Sequence, residues 1–444
     1  MTKLKILFHS FISYLYLALV KHKRTSSSNG AEFSRLENYF FRGGEKAPID
    51  QAAYILIYAA TIGELKAASA FLKQVQQKWP TSRLILIPGQ PQYAKVFSDT
   101  YRQAIVMHRF PTNPTLVKQF FCHNPIRYCV FVEGPSLHGY FPIRQDMSLP
   151  IGCLRRHIPI VVINACLYKK QIHSRIDLME HKLFSGLFRE AVKHWYAPNA
   201  EIGKDLELHN ISKDKITIVG DIKFDNVFSD CFQSCGHEID EYFQQIAGKF
   251  RLIVAGSVNA FEEQKALTFA WKYIQTSFPD VILVIAPRYV NDKTMMAKLT
   301  NFLDNQGIDY EMRSQGINAM SSKKLIVVDT FGELSYFYQQ AEIAFAGRGH
   351  GVLEPMRYSK PVVVGPHQYW TKENSTSYLL YRKMRDKHAL IECSGYDDLG
   401  ELFFTMLKDR QFGEVYVQRY TQIIKEKMGA SEKIIEHMHK ILNL

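Results

Sequence analysis

The feature that most constrains this chain is an alternation of short β-branched apolar runs with amphipathic helical stretches, interrupted once near its middle. Residues 54–58, 83–87, 128–132 and 160–163 form a first series of apolar runs, and 252–255, 281–285, 325–328, 343–346 and 361–364 form a second. Each run is too short for a buried helix and leads toward a helical stretch, which is how strands of a parallel sheet covered on both faces read. The stretch between the series, 225–248, is polar and weakly periodic. The pattern predicts an α/β protein of two doubly wound domains, with chemistry at the carboxyl ends of the strands. A chain of 444 residues suits two such cores rather than one. The expected boundaries are 45–228 for the first domain, 246–410 for the second and 411–444 for closing helices.

Ahead of the first domain, residues 1–28 hold an apolar stretch at 4–20, followed by Lys21, His22, Lys23 and Arg24. The stretch is short for a spanning helix and contains Lys5 and His9. No small-residue cleavage site follows it, which argues against a signal peptide. The expectation is a short anchor or interfacial helix whose basic cluster meets the anionic cytoplasmic face of an inner membrane. An amphipathic helix folded onto the body is the competing reading. The polar 26–30 segment (SSSNG) separates it from the rest.

A formal net charge of +12 suits an anionic partner: nucleic acid, an acidic membrane surface or a phosphorylated substrate. No zinc spacing or nucleic-acid signature supports the first. The seven cysteines, several in apolar settings, read as reduced thiols of a cytosolic compartment. Cys231, Cys235 and His237 lie close in sequence, but without a second ligand cluster they read as loop residues, and no metal is expected.

Five segments stand where chemistry could sit. In 58–68 (YAATIGELKAA) a strand ends and Glu64 opens a helix, whose dipole favours an ionised carboxylate where a base could take a proton from a sugar hydroxyl. Alone, Glu64 would read as an ordinary helix-start acid. GDIKFD at 220–225 brings Lys223, a cation for a departing phosphate or simply a surface lysine. In 285–290 (IAPRYV) a buried strand runs into Pro287 and Arg288, a guanidinium suited to bidentate phosphate binding or simply a surface arginine after a strand. In 328–338, Thr330 and Glu333 have capping-box spacing, and a helix start after a strand is also an anion site. Finally, 344–367 runs from a strand into a loop with Gly347, Gly349 and Gly351, then a helix containing Glu354. Glycines there let backbone amides approach a phosphate.

In this order the motifs resemble the Kdo (3-deoxy-D-manno-octulosonic acid) transferase family of lipopolysaccharide synthesis. The similarity runs from Arg35 to His367 and is carried by GEL at 63–65, NACL at 164–167, GDIKFD, APR, DTFGEL and LEPMRYSKP. The resemblance implies a GT-B fold, two Rossmann-like domains facing a cleft, and inverting transfer of Kdo from CMP-Kdo to a lipid A precursor or related glycolipid. It makes Glu64 the base that deprotonates the acceptor, Lys223 a transition-state cation, and Glu133 the first acid of the family's acidic motif. It makes Pro287, Arg288, Phe331, Gly332, Glu333 and the segment Gly349, His350, Gly351, Val352, Leu353 and Glu354 the contacts to CMP. The nucleotide sugar is then a substrate and no cofactor is implied. The chain departs from the family where ETELWPN is replaced by EGPSLHG at 133–139, and where the loop before LEP is shortened to GRGHGV at 347–352. Two other readings stay open at this point: a different nucleotide sugar or glycan acceptor, and an inactive membrane-associated scaffold.

Overall fold

A computed structural model of the chain describes residues 36–41, 53–134, 147–167, 186–227, 237–258, 260–319, 321–347, 351–366, 382 and 384–442. The expected N-terminal anchor at 4–24, the segment 135–139, and Arg348, Gly349 and His350 lie outside the described residues. No described helix is long and apolar enough to cross a membrane.

The chain divides into two compact units. Unit 1 is Met1–Cys231 together with Lys427–Leu444, and unit 2 is Phe232–Glu426. Unit 1 is built on seven strands: β1 (Tyr54–Ala59), β2 (Arg83–Pro88), β3 (Ile105–Val106), β4 (Ile126–Val132), β5 (Ile160–Ile163), β6 (Val192–Ala197) and β7 (Ile216–Ile218). All neighbours pair in parallel, in the order β3-β2-β1-β4-β5-β6-β7. The chain starts at β1, moves outward to β3, then returns to lay β4 on the other side of β1, so the topological switch lies between β1 and β4.

Alternation along each strand creates two cores. Tyr54, Leu56 and Tyr58 of β1 feed one layer, while Ile55, Ile57 and Ala59 feed the other. Ile55, Leu56 and Ile57 are fully buried, and burying each such side chain stabilises by roughly 1.5–3 kcal/mol. Helices cover both faces, and their starts are marked in sequence. Asn113 accepts from the amide of Thr115 at the head of the helix Pro114–His123, with proline in the first turn. Asn199 caps Ala200–Leu208 in the same way.

Unit 2 repeats the plan with β8 (Arg251–Val258), β9 (Val281–Pro287), β10 (Glu311–Met312), β11 (Leu325–Val327), β12 (Ala341–Ala346), β13 (Val362–Val364) and β14 (Ile391–Glu392). Its order is β10-β11-β9-β8-β12-β13-β14, again all parallel, with the switch between β8 and β12.

Two findings go beyond the sequence reading. The polar middle stretch contains the helix His237–Ile246, whose buried Ile239, Tyr242, Phe243 and Ile246 recur at helical spacing and join the unit 2 core. The closing helices divide between the units. Arg410–Lys427 runs to the end of unit 2, whereas Ala430–Ile441 packs Ala430, Ile434, Ile435 and Met438 into the core of unit 1.

Candidate active site

In unit 1 the candidate side chains sit beyond the carboxyl ends of strands of one sheet. Glu64 follows β1, Glu133 follows β4, Asn164 follows β5 and Lys223 follows β7. The turn after β1 shows why Glu64 is held there. Thr61 is the N-cap of the helix Ile62–Ala67, and its hydroxyl accepts from the Glu64 amide at 3.2 Å. The Glu64 carboxylate reaches back and accepts from the Ala60 amide at 2.5 Å, and the Thr61 amide also bonds it. Thr61-Ile62-Gly63-Glu64 is therefore a capping box, and the helix start fixes the Glu64 rotamer.

Glu64 is 7% exposed. Burial, then the negative charge of Glu133, push its carboxyl up to about 8; the Ala60 amide, the Lys223 ammonium and the Thr61 amide pull the other way without cancelling them. An acid so displaced holds its proton at neutral pH and releases it just above, which is the range for taking a proton from a hydroxyl.

Beside it, Lys223 Nζ lies 2.7 Å from Glu133 Oε1, with the carboxylate 5% and the lysine side chain 20% exposed. Burial by itself would lower the lysine, but Glu133 and Asp221 outweigh it and hold the ammonium well above its ordinary value. Lys223 is therefore a fixed positive charge. Asp221 is raised by burial, against the opposing pull of Lys223. Glu133 and Asn164 are non-glycine residues in the left-handed region, at φ 63° and 51°. Such strain at two adjacent strand ends is commonly stored where function over-determines the backbone.

Asn164 is a residue the sequence reading quoted only as part of NACL. Fully buried, it donates from Nδ2 to Glu133 Oε1 at 3.1 Å and accepts from the Ile222 amide at 3.4 Å. It thus ties Glu133 to the loop that carries Lys223. A polar side chain directly after an all-apolar strand was the available signal, since a buried amide must find partners.

In unit 2 the strand order brings four segments to neighbouring carboxyl ends: 329–333 after β11, Pro287 at the end of β9 with Arg288 after it, Ser257 near the end of β8, and Gly347 with 351–354 after β12. Arg288 is exposed, its amide donates to the Val258 carbonyl at 2.9 Å, and its guanidinium lies 5.8 Å from the centre of the Tyr289 ring. Phe331 is 65% exposed. Val352 is buried and Gly351 takes φ 76° before the short helix Leu353–Met356, which contains Glu354.

The capping box expected of Thr330 and Glu333 is not what forms. Glu333 itself is the N-cap of the helix Leu334–Gln340, with no side-chain cap bond, and the Thr330 hydroxyl donates to the Glu333 carboxylate. Glu333 is held instead by Arg313 at 3.0 Å, and Arg313 also pairs with Glu238. Arg313 lies far enough back in sequence that no local pattern announces it. Gly332, at φ 90°, bends the chain ahead of the helix and leaves Glu333 outside its first turn.

Ser257 was also missed. It sits at φ 55° in an irregularity between Gly256 and Val258, beside Gly347 and Gly351. A Cβ on Gly347 would lie 2.7 Å from both the Ser257 carbonyl oxygen and Val258 Cα. Both are backbone atoms and cannot rotate away. Gly347→Ala is expected to cost about 1–3 kcal/mol and to spoil the strand ends of unit 2. Gly332→Ala, with open space around its Cβ, should cost only the left-handed backbone, about 1 kcal/mol. Thermal unfolding of the two variants, with calorimetric CMP titration, checks the contrast.

Among the described residues no group of three or more His, Cys, Asp or Glu side chains is placed to hold a metal ion. Cys231 and Cys235 lie outside the described residues.

No protein-family model matches the chain. It is 23% identical over 414 residues to the 3-deoxy-D-manno-octulosonic acid transferase of Haemophilus influenzae, covering 90% of this chain and 89% of that protein. It is 23% identical over 324 residues to the protein of the same name from Aquifex aeolicus, covering 70% and 76%. Among solved structures, UDP-GlcNAc 2-epimerase from Neisseria meningitidis bound to UDP-GlcNAc superposes with a TM-score of 0.57 at 12% identity, over 87% of this chain and 100% of that one. At that identity the likeness speaks for the fold alone, and the fold is GT-B.

Proposed function

We infer that this chain is a divergent member of the Kdo transferase family, an inverting glycosyltransferase that moves Kdo or a closely related acid from CMP-Kdo to a phosphorylated glycolipid of lipopolysaccharide synthesis. The observation that carries the reading is Glu64. It is a buried carboxyl tuned to about 8, fixed by a helix start at the β1/β4 switch, beside the Glu133–Lys223 ion pair. An inactive scaffold has no use for a displaced acid, a strained partner carboxylate and a fixed ammonium together.

In this reading the Glu64 carboxylate takes the proton of the acceptor hydroxyl as that oxygen bonds to the anomeric carbon. The bond from that carbon to the phosphate oxygen breaks, and CMP leaves as its monophosphate. One displacement by one base inverts the anomeric centre. The transition state has oxocarbenium character, so charge placed in advance on either side of it lowers the barrier. Lys223 contributes fixed positive charge next to the base. Arg288 and the backbone amides of 351–354 take the phosphate, and Phe331 offers an exposed ring to the nucleotide. The nucleotide sugar is a substrate, and these residues neutralise the leaving group without a metal.

The same reading places residues 4–24 at the cytoplasmic face of the inner membrane, as an anchor or interfacial helix beside the lipid acceptor.

Calorimetric titration with CMP, beside UMP and UDP, tests the donor. CMP should bind selectively, and Arg288→Ala should weaken it by about tenfold or more, as loss of a charge-assisted contact does. Equal binding of UDP and CMP would remove CMP-Kdo as the donor, and no effect of Arg288→Ala would take Arg288 out of the phosphate contact.

A further inference from the structure

Lys223 sits in a loop, 220–226, whose distal end is fastened to two other parts of unit 1. The loop is stiff. Backbone bonds run from Phe224 to Asp221, Asp225 to Ile222, Asn226 to Lys223 and Val227 to Phe224, at 3.1 to 3.4 Å, and Lys223 is the N-cap of the 3-10 turn Phe224–Asn226. Moving one end of such a turn moves the other.

Asp225 is 8% exposed, and its carboxylate accepts from three consecutive amides: Gly429 at 2.6 Å, Ala430 at 3.3 Å and Ser431 at 2.6 Å. These are the open N–H groups at the head of the helix Ala430–Ile441, whose own N-cap, Gly429, supplies no side chain. The cap thus comes from 204 to 206 residues earlier in the chain. Gly220, at φ 106°, opens the same loop with its Cβ position 3.5 Å from Ala430 Cβ and 3.6 Å from the Lys427 carbonyl.

Asn226 repeats the device on the other side. Its Oδ1 accepts from Ala70 N and Ser69 Oγ, both at 2.6 Å, at the head of the helix Ser69–Lys78, which likewise lacks a side-chain cap of its own. That helix follows directly on the turn that carries Glu64. The loop is therefore joined to the Glu64 segment through Asn226, to Glu133 through Lys223 and Asn164, and to the C-terminal helix through Asp225.

We propose that Asp225 is a positioning residue: by capping the C-terminal helix it holds the 220–226 loop, and with it the Lys223 ammonium, against Glu133 beside Glu64. The C-terminal helix, which begins where the chain re-enters unit 1 at Lys427, is on this view a part of the active site's scaffold. Its consequence for turnover rests on Glu64 being the base; its consequence for Glu64 itself does not.

The groups facing this centre are Glu133, Asp221, Lys223 and Cys166, with the Ala60 and Thr61 amides. Lys223 pulls the Glu64 carboxyl down, so a loosened loop lets it rise. The test follows the Glu64 carboxyl by carbon NMR of the full chain carrying carboxyl-labelled glutamate, assigned by the signal lost in Glu64→Gln. Asp225→Ala is expected to raise the Glu64 midpoint by about one pH unit, in the direction Lys223→Met moves it. Asp225→Asn, which keeps an acceptor oxygen, should move it less. A wild-type midpoint in Asp225→Ala, with Lys223→Met displaced, overturns the proposal. If Asp225→Ala does not fold, Asp225→Asn decides: an unmoved midpoint together with faster amide exchange in 430–441 means that the cap serves the helix alone and overturns it. Transfer from CMP-Kdo is assayed in parallel. A wild-type protein without transfer, whose midpoint still shifts in the variants, fails the functional reading and leaves the positioning role standing.

Discussion

Glu64→Gln is expected to lower the rate of transfer by about a hundred- to ten-thousand-fold, the range contributed by a positioned general base, while CMP binding in unit 2 stays as it was. Glutamine keeps the shape and can still accept from Ala60 and Thr61, so the capping box survives and the loss is chemical. The wild-type rate should climb with pH through about 8, because the base works only when ionised. The same displacement has a stability counterpart of fixed sign. A carboxyl raised above its ordinary value in the folded state stabilises the fold most below that ordinary value, and the benefit is lost as pH rises through about 8. Glu64→Gln should therefore unfold at a higher temperature than wild type at pH 9 and show a smaller difference at pH 6. A variant that loses activity and gains alkaline stability has lost a functional charge. Unchanged turnover would take Glu64 out of the mechanism.

The sequence carried the central strands and said less about the edges. β1, β2, β4, β5, β8, β9, β11, β12 and β13 are near-continuous apolar runs because both faces of a parallel sheet are covered, and each was expected within a few residues of where it lies. β6 escaped because Lys193 and His194 interrupt it. Lys193 points to solvent, whereas His194 is buried and its ring nitrogen pairs with the Thr217 hydroxyl on β7, a partner no local pattern reveals. β3, β10 and β14 are two-residue strands, too short for any period to register. The helix His237–Ile246 shows the converse error: a polar majority hid a stripe of four apolar residues.

Candidate site residues stand out in the sequence where a motif follows a strand end. Glu64, Glu133 and Lys223 are far apart in sequence, yet β1, β4 and β7 bring them to the carboxyl edge of one sheet. The residues that hold them were not legible as such. Asn164, Asp225 and Asn226 act through bonds to amides far away in sequence, and a buried Asp reads no differently from a solvated one until its partners are known. Arg313 is the same case in unit 2.

The largest stability effect is expected at the ion pair between Lys223 and Glu133. Lys223→Met leaves a 5%-exposed carboxylate without its nearest cation, and breaking a buried pair by removing one partner costs about 3 kcal/mol or more. For unit 1 unfolding as its own cooperative unit, that is a fall of roughly 6–12 °C in Tm. The bond from Asn164 softens the loss, and the partial exposure of the lysine limits it. Glu133→Gln leaves an ammonium that still has Asp221 beside it, so its cost should be smaller. The double variant separates attraction from desolvation. If the pair is held for stability, Lys223→Met with Glu133→Gln should stay about as unstable as Lys223→Met alone, because either single change already removes the attraction. If it is held for function, the double should recover most of the Tm lost in Lys223→Met, because no charge is left stranded, while transfer remains abolished. The second result is the expected one, and thermal unfolding of the four proteins beside a transfer assay distinguishes them. A pair whose removal the fold tolerates but the reaction does not is kept for the charge it presents to Glu64.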